Sequence, residues 1–280
     1  MAFRHRAGAP ATRRGGEQAR VLQFGGAAGS LSALGGQGLE VAATLARELG
    51  LDLPDLPWHS QRDRLGDLAA ALGLVAGVLG KLGRDLSLLM QNEVAEVREP
   101  QEAGKGGSST MPQKQNPVAC GVALAAASRV PGLVATLLAA MPQEHERGLG
   151  GWHAEWETIP EIFGLVAGAA RAMAETCEGL EIDAPRMREN LDKTRGLLMT
   201  EAVTLALAKK VGRRQAQASI DAAIRRSRGA AQSFADVLKS DSTITQWIGA
   251  SDLDRLLDPE RYLGEAACFV SRALARRTKS

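Results

Sequence analysis

Fourteen residues near the middle of the chain, Gly104-Lys-Gly-Gly-Ser-Ser-Thr-Met-Pro-Gln-Lys-Gln-Asn-Pro117, gather hydroxyls, an ammonium and an amide between three glycines and two prolines. Ser108, Ser109 and Thr110 offer hydroxyls for proton transfer, and Lys114 offers a full positive charge. Gly104, Gly106 and Gly107 permit positive φ, and Asn116 followed by Pro117 reads as the N-cap and first residue of a helix. The loop would then end on a helix N-terminus, whose free N–H groups and positive dipole end suit an anion such as a substrate carboxylate. The same residues also suit a mobile surface loop with an ordinary helix cap, and local features leave both readings open.

Other chemistry-bearing stretches are weaker. Gly25-Gly-Ala-Ala-Gly-Ser30 is glycine-rich, but no strand pattern precedes it and its spacing is not that of a dinucleotide fingerprint, so a nucleotide site is rejected. His145-Glu146 would open a zinc-protease helix only with a histidine at 149, which is Leu149. His145 and His153 have no cysteine or carboxylate set at ligand spacing, and no metal site is expected. The polar turn around His145, Glu146 and Arg147 suits the wall of a polar pocket, or ordinary capping and surface pairing.

Helices must position these groups. Aromatics make up 4% of the 280 residues while Ala, Leu, Val and Gly abound, which favours close-packed helices. From Asp63 to Val97, Leu65, Leu68, Leu72, Val75, Leu79, Leu82, Leu86 and Leu89 form a heptad seam. A second stripe, Gly66, Ala69, Gly73, Ala76, Gly80 and Gly83, repeats the spacing one residue later and lets another helix come close. A helix of about 35 residues spans about 50 Å, which reads as a strut in a multi-helix bundle shared between subunits. Further helices are expected over Leu39–Leu49, ending at Gly50, over Pro117–Met141 with a kink at Pro131, and from about Ala154 to Leu180.

The predicted organisation is a disordered basic tail at 1–20, a long-helix bundle domain at 21–194 and a small helical domain at 195–280. Lys and Arg number 34 against 32 Asp and Glu, a formal charge of +2, which gives no case for nucleic acid. Three widely spaced cysteines, Cys120, Cys177 and Cys268, embedded in apolar helical patterns, read as reduced, buried thiols. No long uninterrupted apolar run reads as a membrane span, so a cytoplasmic protein is expected.

The central motif, Gly107-Ser108-Ser109-Thr110-Met111-Pro112 with Lys114, Asn116 and Pro117, resembles the signature of the fumarase/aspartase/argininosuccinate lyase superfamily. The flanking text resembles its 3-carboxy-cis,cis-muconate cycloisomerase family: Leu22-Gln-Phe-Gly-Gly-Ala-Ala-Gly29, Trp58-His-Ser-Gln-Arg-Asp-Arg64, the stretch from Val130 to Arg147, and Trp152-His-Ala-Glu-Trp-Glu-Thr158. Leu257-Asp-Pro-Glu-Arg-Tyr-Leu-Gly264 is similar to the small C-terminal domain of the adenylosuccinate-lyase-like branch. The resemblance implies an all-α fold, a long-helix bundle of the fumarase/aspartase type followed by a small helical C-terminal domain. It implies a homotetramer with active sites assembled from three subunits, a small di- or tricarboxylate substrate, no cofactor, and lactone formation in the protocatechuate branch of the β-ketoadipate pathway.

Residue by residue, Ser108 matches the family's proton-transfer serine, with Ser109 and Thr110 beside it, and Lys114 and Asn116 match carboxylate-binding positions. Gln61, Arg64 and Arg147 are candidates for the remaining carboxylates. Gln113 and Gln115 stand where related cycloisomerases carry His and Arg, and Gly148 where they carry Ser. The family's N-terminal domain and two earlier signature regions are expected before residue 20, where the basic tail stands, so the chain is expected to correspond to about the C-terminal two-thirds or less of a full enzyme. Two alternatives stay open: a catalytically inactive helical scaffold that oligomerises, and an argininosuccinate- or adenylosuccinate-type lyase.

Overall fold

A computed structural model describes residues 16–17, 19–100, 106–107, 110–111, 114–229 and 232–277. Arg4, Arg6, Arg13 and Arg14 of the expected tail lie outside them. Arg20, read above as tail, is tied down: its carbonyl accepts from Asp52 N at 2.9 Å, its guanidinium donates to Gly50 O at 3.1 Å, and Val21 forms a parallel bridge with Asp52. The described residues fall into two compact units, one built from residues up to Asn92 and Val97–Ile182, the other from Glu93–Glu96 and Asp183 onwards.

The first unit opens with a 3₁₀ segment, Ser32–Gln37, and helix α1, Gly38–Leu49, which ends as expected at Gly50 in the left-handed conformation. Three long helices then form its body: α2, Asp63–Leu89; α3, Val118–Ala139; and α4, Gly151–Glu178. Gly66 lies against Met141 and Gly83 against Cys120, so α2 and α3 run antiparallel, and the Arg62–Glu155 ion pair places the starts of α2 and α4 together.

The glycine stripe explains the approach. A Cβ on Gly80 would stand 2.3 Å from Ala127 Cβ, and one on Gly83 would stand 3.1 Å from Cys120 O. Each glycine costs about 0.8–1 kcal/mol in a helix interior, which close helix packing offsets. Ala69, Ala76, Val130, Leu137, Ile162 and Val166 form the core between the three helices. Ile162, Val166, Ala169 and Met173 are buried on one face of α4, with Leu165 beside them, as the spacing predicts.

One expectation is corrected. Helix α2 stops at Leu89 instead of running to Val97, because the next seam positions are Glu93 and Glu96 and Ala95 turns to φ +52°. Its 27 residues span about 40 Å. Along the leucine seam Leu79, Leu82 and Leu86 are buried, while Leu65, Leu68, Leu72 and Val75 are covered in part. By length and composition α2 and α3 could each cross a membrane, although Lys81 and Arg84 interrupt the apolar run of α2 and Arg129 that of α3; the two pack on each other and on α4. Two short strands, β1 (Val97–Arg98) and β2 (Glu181–Ile182), pair antiparallel with Val97 opposite Ile182.

The second unit is a set of shorter helices: α5 (Ala184–Asp192), α6 (Thr200–Val211), α7 (Arg213–Gly229), α8 (Phe234–Ser240), α9 (Ser242–Thr245), α10 (Ala250–Leu256) and α11 (Ala266–Arg277). Their starts carry sequence-encoded caps: Asp183 accepts from Arg186 N, Ser233 and Asp236 form a reciprocal capping box, and Asp241 accepts from Thr243 N. Val203, Leu207, Ile220, Phe234, Leu238, Ile244 and Leu253 make its core.

Candidate active site

The signature loop is closed on itself at its base. Asn116 N donates to Gly106 O at 2.9 Å, Asn116 Nδ2 donates to the same oxygen at 3.2 Å, and Gly107 bridges Gln115 antiparallel. Gly106 is required there: it sits at φ +75°, and a Cβ would stand 3.1 Å from Asn116 O. Ser108, Ser109 and Gln113 lie outside the described residues. Thr110 is exposed, and Lys114 stands at the far end of the loop with its amide on Met111 O at 3.0 Å.

Asn116 is not the side-chain cap of α3. The helix starts at Val118, the capping position is Pro117, and no side chain of that residue bonds the helix. Glu99 does so from outside: its carboxylate accepts Ala119 N at 3.1 Å and Cys120 N at 2.8 Å. The strand pair explains this, because β1 delivers the next residue, Glu99, to the first turn of α3. The expected anion at this helix N-terminus is therefore the chain's own. Of the three cysteines expected to be buried only Cys120 is, and Cys177 and Cys268 are exposed; burial first, and then the neighbouring Glu99 carboxylate, push the Cys120 thiol well above its usual range.

A cavity of about 270 Å³ opens beside the loop, lined among others by Met90, Glu99, Gly106, Lys114, Asn116 and Glu175. Lys114 is the one cation among the described residues that line it. Asn116 keeps a second Nδ2 hydrogen and its Oδ1 for a ligand.

The other candidates stand at the opposite end of α2. Gln61 is exposed in the turn before the helix, its amide on Trp58 O at 3.1 Å. Arg64 lies 5.3 Å from the Trp58 ring and lines a separate cavity of about 440 Å³ with Asp52, Asp63 and Asp67. Arg147 clamps the Gly25–Gly29 turn, donating to Gly26 O at 2.6 Å and Ala27 O at 3.2 Å while lying over Trp152. His145, at φ +50°, is exposed on the same turn, and His153 packs against Trp152 and Trp156.

Sequence reasoning passed over the residues that hold this end together. Arg62 is buried and forms a two-pronged ion pair with buried Glu155, its Nε on Oε1 at 2.7 Å. Gln143 Nε2 adds a bond to Glu155 at 3.3 Å. Gly148 is compelled by Gln143, since a Cβ there would stand 2.6 Å from Gln143 Cγ, so a serine at 148 would displace that side chain. Burial, then Arg147, then Arg62 hold the His59 imidazole below its usual pKa. Arg62 and Arg64 are alike in sequence, and it is Arg62 that turns inward onto Glu155. Among the described residues no three His, Cys, Asp or Glu side chains come together as a metal-binding group.

Lys114 and Asn116 are thus brought to one cavity, and Gln61, Arg64 and Arg147 to the other end of a helix about 40 Å long. Within one chain the two groups cannot touch the same small molecule.

Comparison with known proteins places this arrangement. Residues 12–132 match the family model described as lyase, and residues 196–273 match adenylosuccinate lyase C-terminus. The 3-carboxy-cis,cis-muconate cycloisomerase of Pseudomonas aeruginosa is 58% identical over 255 residues, covering 91% of this chain and 56% of the relative. The enzyme of the same name from Bradyrhizobium diazoefficiens is 48% identical, again over 91% of this chain and 56% of its own length. The crystal structure of 3-carboxy-cis,cis-muconate lactonizing enzyme from Pseudomonas putida superposes with a TM-score of 0.87 at 50% identity, covering 95% of this chain and 59% of that one. The chain thus spans a little over half the length of the curated relatives it matches. Over these residues the chain is similar to the 3-carboxy-cis,cis-muconate cycloisomerases, and its two parts match lyase and adenylosuccinate lyase C-terminus models.

Proposed function

We propose that the protein carries the cycloisomerase reaction of these relatives, converting 3-carboxy-cis,cis-muconate to 4-carboxymuconolactone in the cytoplasm, as a homotetramer. A carboxylate oxygen of the substrate adds to a carbon of the conjugated diene, and the displaced π pair settles as an aci-carboxylate on the neighbouring carboxyl group. Ser108 gives its hydroxyl proton to the adjacent carbon and recovers one from solvent, so atoms and charge balance without any redox step. A serine hydroxyl is a weak acid, and donors of the loop must stabilise its oxyanion form. Ser109 and Thr110 stand next to it in sequence, and Lys114 and Asn116 hold a substrate carboxylate.

The observation that supports this reading is the closure of the loop by Gly106 and Asn116, with Lys114 and Asn116 both on the wall of the 270 Å³ cavity. The charge balance supports a composite site. Among the described residues Glu99 and Glu175 line the cavity with one lysine, and a tricarboxylate needs more positive charge than those residues supply. In this reading Gln61, Arg64 and the Arg147 turn come from another copy of the chain.

Loss of the diene's ultraviolet absorbance on lactone formation tests the proposal. Ser108→Ala is expected to lower kcat by about a hundredfold or more, and Lys114→Ala to raise KM by about tenfold. A folded oligomer with no turnover would overturn the activity and leave a helical scaffold as the reading. Turnover unchanged by Ser108→Ala would overturn the assigned role.

A further inference from the structure

The α3 N-terminus is where a substrate carboxylate would be sought, and the structure fills it from within. All four first-turn N–H groups have partners: Val118 N on Asn116 O, Ala119 N and Cys120 N on Glu99, and Gly121 N on Pro117 O. Glu99 is not placed there by its own neighbours in sequence. It follows β1, whose pairing with β2 fixes Val97 against Ile182 and Arg98 against Glu181. The carboxylate spans 20 and 21 residues of chain to reach Ala119 and Cys120. The whole signature loop lies between these two points.

We infer that Glu99 is the positioning residue of the signature loop, tying its incoming root to its outgoing root through the first turn of α3. The loop then has two nested closures, Glu99 on Ala119 and Cys120 outside, and Gly106 on Asn116 inside. Each shortens the segment that must be ordered, and together they fix where Lys114 and Asn116 stand on the cavity wall. Charge-assisted bonds to two backbone N–H groups are about twice as strong as neutral ones, so the outer closure is the firmer of the two. Glu99 also neutralises the positive end of α3, which leaves substrate carboxylates to side chains and not to the helix dipole. The catalytic part of this inference rests on the function proposed above; the anchoring part does not.

Limited tryptic digestion of the folded chain separates the two. Glu99→Ala removes both acceptors and is expected to speed cleavage after Lys114 by about tenfold, with cleavage after Arg225 in the second unit unchanged. Glu99→Gln keeps the volume and one acceptor and should fall between the two. If Glu99→Ala does not fold, Glu99→Gln carries the test alone. Cleavage after Lys114 within about twofold of wild type in the folded variants, or equal acceleration after Arg225, overturns the anchoring role. In an active preparation Glu99→Gln is expected to raise KM, in the direction of Lys114→Ala, while kcat moves by less than about twofold, and the reverse split overturns the catalytic part. A wild-type chain with no turnover sinks the proposed function and leaves the digestion result to decide the anchoring.

Discussion

His59 is partly buried between the Gly25 turn and two guanidinium groups, those of Arg147 and Arg62. Burial and both positive charges oppose its protonation, so its pKa in the folded chain lies below the ordinary value of 6.5. The sign follows from proton binding: as pH falls through about 6.5 the unfolded chain takes up a proton that the folded chain refuses, and stability drops. Above that pH the group contributes no such loss. His59→Gln is expected to flatten the fall in stability between about pH 6.5 and 5, measured by urea unfolding, while leaving stability at pH 8 little changed. A variant with the same slope as wild type would show that another group carries the acid sensitivity. Asn116 and Glu99 teach a related lesson at this scale. The residue beside the helix start bonds the loop, and the residue that caps the helix follows a strand and lies 20 positions away.

Two glycines of α2 test what the small-residue stripe does. Gly80 faces Ala127 so closely that an added Cβ would lie 2.3 Å from Ala127 Cβ, whereas a Cβ on Gly77 would meet nothing within 4 Å. Both substitutions to alanine gain about 0.8–1 kcal/mol of helix propensity. At Gly80 this is outweighed by an overpacking cost of about 1–3 kcal/mol, because the contact is backbone-close and no flexible side-chain end can yield. Gly77→Ala is therefore expected to stabilise the chain and Gly80→Ala to destabilise it, read from denaturation midpoints. Adding Ala127→Gly to Gly80→Ala should restore part of the loss. Equal effects of the two single substitutions would mean that α2 and α3 can separate freely.

At the scale of the molecule, the decisive fact is the distance of about 40 Å between the ends of α2. Lys114 and Asn116 stand at one end, Gln61, Arg64 and Arg147 at the other, and one chain cannot close a site from both. Apolar surface supports association of copies: Leu74, Trp156, Phe163 and Leu138 on α2, α3 and α4 are largely exposed in the single chain. If each site takes the loop from one copy and the other end from a second, two inactive variants can repair each other. Randomly mixed oligomers of Ser108→Ala and Arg64→Ala are expected to recover about one quarter of wild-type activity, since half of the loops and half of the opposite ends are intact. The check is to unfold and refold the two variants together and compare with each refolded alone. No recovery in mixed oligomers of confirmed composition would place both groups of residues outside a shared site.

Much of this architecture was legible in the sequence because it is written in local periods. The stop of α1 at Gly50, the glycine stripe of α2, the buried face of α4 and the position of the loop follow from residues within one or two helical turns of each other. The capping aspartates and serine of the second unit are local in the same sense. Tertiary structure alone decided the rest. Glu99 reaches α3 only because β1 pairs with β2, Arg62 turns inward in place of Arg64 only because Glu155 awaits it on another helix, and the candidate binding residues separate into two groups only because α2 is a rigid rod between them. Sequence spacing records what a helix brings together along its own axis, and it carries no measure of what folding sets apart.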